Sequence, residues 1–90
     1  MNSETEKYEL FGVDVVLLCN IYGKPLPKLK WKTDKFDITP SPFKYAIMSN
    51  MLIIKRFDRS DVGNYTCYAA NGVGRPISTR MELKKAGLIV

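Results

Sequence analysis

Apolar residues along this chain recur with a period of two. In Val13-Asp14-Val15-Val16-Leu17-Leu18-Cys19, the positions Val15, Leu17 and Cys19 fall on one face. Leu29 and Trp31 share a face, while Lys28, Lys30 and Lys32 point the other way. The same alternation groups Leu52 with Ile54, Tyr65 with Cys67 and Ala69, and Ile77 with Thr79, Met81 and Leu83. No window carries a sustained helical apolar repeat capped at both ends, so helix is expected as a short turn at most. Turn chemistry falls between the runs. Gly23-Lys24-Pro25-Leu26-Pro27 breaks the chain, and Thr39-Pro40-Ser41-Pro42 forbids a central strand because neither Pro can donate to a ladder. Ser49-Asn50 suits a tight turn, and Asn71-Gly72-Val73-Gly74 supplies residues that tolerate positive φ, as a hairpin demands. Short strands at roughly 8–12-residue spacing predict an all-β sandwich or barrel.

The chain has 90 residues, 46% of them apolar, which bounds it to one small folded domain. No apolar run approaches the roughly 20 residues needed to cross a bilayer, so no direct membrane insertion is expected. The opening Met1-Asn2-Ser3-Glu4-Thr5-Glu6-Lys7 is polar and acidic, the reverse of a signal peptide and in keeping with a domain cut from a longer chain. There is no His, the commonest general base and metal ligand, and two Cys cannot complete a four-ligand zinc site. No metal, no cofactor and no catalytic residue is therefore expected. Fourteen Lys and Arg against nine Asp and Glu give +5, which biases partners toward acidic surfaces: sulfated glycan, actin, nucleic acid or an acidic protein face. Nucleic acid is set aside, because neither a basic helix face nor an aromatic RNA-binding strand motif occurs. The plainer alternative is a solvated surface.

Cys19 and Cys67 lie 48 positions apart, and Trp31 follows the first by twelve. Leu52-x-Ile54-x-x-Phe57 and then Asp61-x-Gly63-x-Tyr65-x-Cys67 lead into the second Cys. In these residues the chain resembles the immunoglobulin superfamily. The resemblance implies two antiparallel sheets joined by a Cys19–Cys67 disulfide, a core of Trp31, Leu52 and Ile54, and a Tyr65 hydroxyl bonded back to the corner loop. It gives Asp61 the role of holding backbone amides at that corner, with Gly63 letting the chain turn. Within the superfamily the pattern is similar to the I-set. Gly12, Gly23-x-Pro25-x-Pro27-x-x-x-Trp31 and Cys67-x-Ala69-x-Asn71-x-x-Gly74 carry that likeness. Only 20 residues separate Trp31 from Leu52, too few for the extra two strands of an antibody variable domain. The expected organisation is a tail or clipped first strand over 1–7, the domain over 8–84, and a tail or linker over 85–90.

Domains resembling this one occur as units of tandem arrays, so neighbouring domains in a longer chain are implied. They are found in neural adhesion molecules of the neuroglian, hemolin and lachesin type and in receptor ectodomains, and inside muscle in titin- and palladin-like proteins. The first setting implies a non-catalytic recognition module that meets a cell-surface protein, homophilically or heterophilically, through a sheet face or the domain ends. The second implies a cytoplasmic cytoskeletal module that meets filaments through basic residues, with reduced Cys19 and Cys67. Asn64-Tyr65-Thr66 is a glycosylation acceptor triplet and favours the extracellular setting. Strand parity puts Lys28, Lys30, Lys32, Thr66, Tyr68, Ser78, Arg80 and Glu82 on one outward sheet face. Lys28, Lys30, Lys32, Tyr68 and Arg80 form the candidate binding surface, suited to an acidic protein or a sulfated glycan. An enzyme reading would have to use Asp58 and Asp61, which have no His beside them. The isolated domain is expected to be a monomer or a weak dimer.

Overall fold

The structure, a computed structural model, describes residues 5–21, 28–70 and 77–87. The strands are β1 (Thr5–Glu9), β2 (Val15–Leu18), β3 (Lys28–Thr33), β4 (Asp37–Ile38), β5 (Tyr45–Met48), β6 (Met51–Ile54), β7 (Gly63–Ala70) and β8 (Ile77–Lys85). A 3-10 turn, Arg59–Asp61, precedes β7. They form a five-stranded sheet in the order β1-β8-β7-β3-β4 and a three-stranded sheet in the order β2-β6-β5. The turn over 23–27, the hairpin over 71–74, and the ends at 1–4 and 88–90 lie outside the described residues.

The period-two pattern is what closes the sandwich. Val15 and Leu17 on β2 are buried while Val16 and Leu18 face outward. On the facing sheet Trp31, Tyr65, Cys67, Ala69, Met81 and Leu83 turn inward. These residues join Leu52, Ile54 and Phe57 in one cluster, against which Leu29, Tyr45 and Ile47 pack from the margins. Cys19, just past β2, is bridged to Cys67 on β7 with an S–S distance of 2.08 Å, so the disulfide ties one sheet to the other. Trp31 is paired with Cys67 across β3 and β7 and is 1% exposed, which seats the indole beside the bridge.

Strand pairing reaches into both flanking ranges, and at the N-terminal side it takes the form of a first strand. Residues 5–7 belong to β1, which runs parallel to β8 from Thr5↔Met81 to Glu9↔Lys85. Lys85, assigned to the trailing linker, completes β8, and the Ala86 amide donates to the Glu9 carbonyl at 2.8 Å. The first strand therefore belongs to the sheet opposite β2. After β1 the chain crosses to the other sheet at Gly12, whose φ of +94° suits glycine. The crossing is pinned by two backbone bonds of 2.8 Å, from the Gly12 amide to the Phe57 carbonyl and from the Phe57 amide to the Val13 carbonyl.

Candidate recognition face

Three strands present the outward basic residues. On β3 the inward demand of Trp31 forces Lys30 and Lys32 to the solvent side, and Lys28 shares their parity. The register sets Lys30 beside Tyr68 and Tyr68 beside Ser78, and in the next row Lys32 beside Thr66 and Thr66 beside Arg80. The structure thus brings Lys28, Lys30, Lys32, Tyr68 and Arg80 onto one surface. Tyr68 is its aromatic centre, half-buried among them. The Lys32 Nζ sits 5.6 Å from the Tyr68 ring centroid, a cation–π contact that fixes both side chains. Among the described residues neither Lys28 nor Lys30 makes an ion pair. Lysines at alternate strand positions lie about 7 Å apart and repel by about 0.6 kcal/mol in water. A bound anion relieves that repulsion.

The opposite end of the same face is electrostatically closed. The Lys84 Nζ lies 3.1 Å from the Glu6 carboxylate and 3.8 Å from that of Glu82, and 5.6 Å from the Tyr8 ring. The hydrogen bond and charge of Lys84 hold the Glu6 carboxyl below its usual range, and Glu6 in turn raises the Lys84 ammonium. Positive potential is left at the Lys28–Lys30–Lys32 end. The boundary between the two ends is Asn64, which pairs with Glu82 across β7 and β8. Its Nδ2 donates to the Asp34 carboxylate at 3.0 Å. Nδ2 is also the atom a glycan would occupy, and a glycosylated amide keeps one N–H for Asp34.

The corner behind this face is built around Asp61. Its side chain is 2% exposed and accepts from the Lys44 Nζ at 2.6 Å and from the Asp58 amide at 2.9 Å. Asp58 caps the 3-10 turn in return, accepting from the Ser60 amide and hydroxyl, and those bonds lower its own carboxyl. The Tyr65 hydroxyl donates to the Asp61 carbonyl at 2.6 Å. The sequence alone assigns no site role to Lys44, Asp34, Glu6 or Lys84. Each acts across a loop or between strands distant in sequence, and no local spacing marks such partners. Among the described residues no group of three or more His, Cys, Asp or Glu is placed to hold a metal ion. No helix there is long and apolar enough to cross a membrane.

Comparison with known proteins agrees with this architecture. The human netrin receptor DCC is 37% identical over 86 residues, which is 91% of this chain and 6% of the receptor. The chicken cell adhesion molecule DSCAML1 is 35% identical over 82 residues, 82% of this chain and 4% of that protein. The chain thus spans a small part of the relatives it matches. Among solved structures, Sidekick-1 immunoglobulin domains 1–4 superpose with a TM-score of 0.83 at 29% identity, covering 96% of this chain and 24% of that one. Titin domain M7 superposes with a TM-score of 0.78 over 97% of this chain and 98% of that one, and at 23% identity the likeness is one of fold alone. The immunoglobulin I-set family model aligns with residues 8–84, from within β1 to within β8, and the chain belongs to that family.

Proposed function

We propose that this domain is a non-catalytic recognition module of a cell-surface adhesion molecule or receptor ectodomain, and that it binds a partner through the outer face of β3, β7 and β8. The observation that carries the reading is the Lys28–Lys30–Lys32 row beside Tyr68. The lysines draw an acidic partner in by screened attraction, which sets the association rate and weakens with salt. Tyr68, held by Lys32, supplies the rigid amphipathic contact at the centre. Arg80 extends the basic surface onto β8. Two copies of this face repel each other, so the surface it meets is a different and acidic one.

The extracellular setting is supported by the adhesion and receptor relatives, by the Cys19–Cys67 bridge and by the Asn64 acceptor triplet. A glycan on Asn64 borders the basic end of the face and limits how closely a partner can approach from that side. The test is staining of live cells with fluorescent tetramers of the domain, wild type against Tyr68→Ala with Lys30→Glu. The wild type is expected to stain in a salt-sensitive manner, and the double variant to lose at least about tenfold in apparent affinity while its thermal midpoint stays within a few degrees. Staining abolished by heparan-sulfate lyase identifies the acidic partner as sulfated glycan; staining that survives the lyase and is lost on protease treatment identifies a protein. Equal staining by the wild type and the variant moves the site off this face.

A further inference from the structure

The corner beyond the basic face holds a cleft that neither the core nor that face uses. One wall is the turn between β3 and β4. The Thr33 amide donates to the Phe36 carbonyl at 2.8 Å, and the Thr33 hydroxyl oxygen accepts from the Lys35 and Phe36 amides at 3.1 Å each. The turn so fixed carries the Phe36 ring, which packs against Tyr45 with centroids 6.4 Å apart and stays 50% exposed. The other wall is Val62, the cap of the 3-10 turn, 41% exposed. The buried Asp61 and Tyr65, with Asn64 and Asp34, complete the lining. The free volume between the walls is about 40 Å³, room for about three water-sized groups.

We propose that this cleft seats the first N-acetylglucosamine of a glycan carried by Asn64, an inference that rests on the extracellular setting proposed above. The tether selects the occupant. Asn64 opens the acceptor triplet Asn64-Tyr65-Thr66 and itself lines the cleft. Its Nδ2 uses one hydrogen on the Asp34 carboxylate at 3.0 Å, which fixes the plane of the amide. The sugar replaces the other hydrogen and so begins at the rim, where effective concentration strengthens even a weak contact. Chemistry selects the sugar as well. N-acetylglucosamine has an acetyl methyl and a C–H face to set against Phe36 and Val62, and its acetyl group matches the space between them in size. Those contacts take the two exposed apolar walls out of water while the sugar hydroxyls stay in it. Asp34 keeps lone pairs for a sugar N–H or hydroxyl. The seat also serves the basic face. Asn64 lies four positions from Tyr68 along β7, about 13 Å. A sugar held at the corner leaves Lys28, Lys30 and Tyr68 open to a partner, where a free glycan would sweep across the Lys32 end.

The test uses the domain secreted from mammalian cells, with its glycan trimmed by endoglycosidase to a single N-acetylglucosamine, beside the same disulfide-bonded chain made in bacteria with Asn64 bare. The sugar is expected to raise the thermal midpoint by about 4 °C, and NMR is expected to find its acetyl methyl shifted upfield by the Phe36 ring. Phe36→Ser with Val62→Ser is expected to remove both effects. Each variant is compared with and without sugar, so the pair's own cost to folding cancels. Val62→Ser alone gives a check should the pair fail to fold. Lys30→Glu should leave both effects in place. An attached sugar that leaves the midpoint unchanged, or an acetyl methyl at its free-sugar position, overturns the seat, as does a gain that survives Phe36→Ser with Val62→Ser. Those outcomes leave the extracellular reading standing. Secretion with Asn64 bare overturns the seat for want of an occupant and counts against that reading too.

Discussion

Trp31 fills the space beside the Cys19–Cys67 bridge, yet its indole Nε1 is buried with no hydrogen-bond partner among the described residues. The residue therefore acts through volume. Trp31→Ala should cost about 3–5 kcal/mol, a large part of the roughly 5–15 kcal/mol that holds such a domain. Trp31→Phe keeps most of the ring and removes the orphaned donor, so it should cost distinctly less; urea titration of both variants measures the difference. At the corner, burial, and then the negative charge of Asp61, push the Tyr65 phenol well above its usual range. The folded chain thus holds this proton after the unfolded chain releases it. Stability from Tyr65 is complete below about pH 10 and is lost as pH rises beyond that. Chemical denaturation between pH 8 and pH 11 should show this alkaline fall, and Tyr65→Phe should flatten it. Tyr65 and Asp61 were legible through the family resemblance that Asp61-x-Gly63-x-Tyr65-x-Cys67 carries. Lys44, the partner of Asp61, was not, because the pair lies seventeen positions apart across loop and strand.

At the scale of elements, alternation was sufficient wherever a strand buries one face. It located β2, β3, β6, β7 and β8 and placed Lys28, Lys30, Lys32, Tyr68 and Arg80 on one side. β4 has two residues, too few to alternate, and β5 follows a proline-rich stretch that reads as loop. The parallel pairing of β1 with β8 joins opposite ends of the chain and has no local signature. The apolar outer face of β2, β6 and β5 did have one: Val15-Val16-Leu17-Leu18 and Met51-Leu52-Ile53-Ile54 are apolar at every position, beyond what a one-sided core requires. The start of β7 depends on Gly63, whose φ of +144° disfavours other residues. A Cβ added there meets nothing within 4 Å. Gly63→Ala should therefore cost backbone strain alone, about 1–3 kcal/mol, read as a lowered urea midpoint with an unchanged slope.

The whole molecule carries two contrasted sheets on one disulfide-tied core. The five-stranded sheet offers cations around an aromatic, and the three-stranded sheet offers uncharged apolar rows. The first is the face proposed above to meet an acidic partner. That proposed role rests on display at the cell surface, which makes the setting the central claim. It is tested most directly by the intact mass of the protein purified from its own source cells, before and after glycosidase and reductant. A mass lighter by the two hydrogens of the Cys19–Cys67 bridge, with a removable glycan on Asn64, is the predicted result. Full mass, two alkylatable thiols and a bare Asn64 would contradict it and place the domain inside the cell.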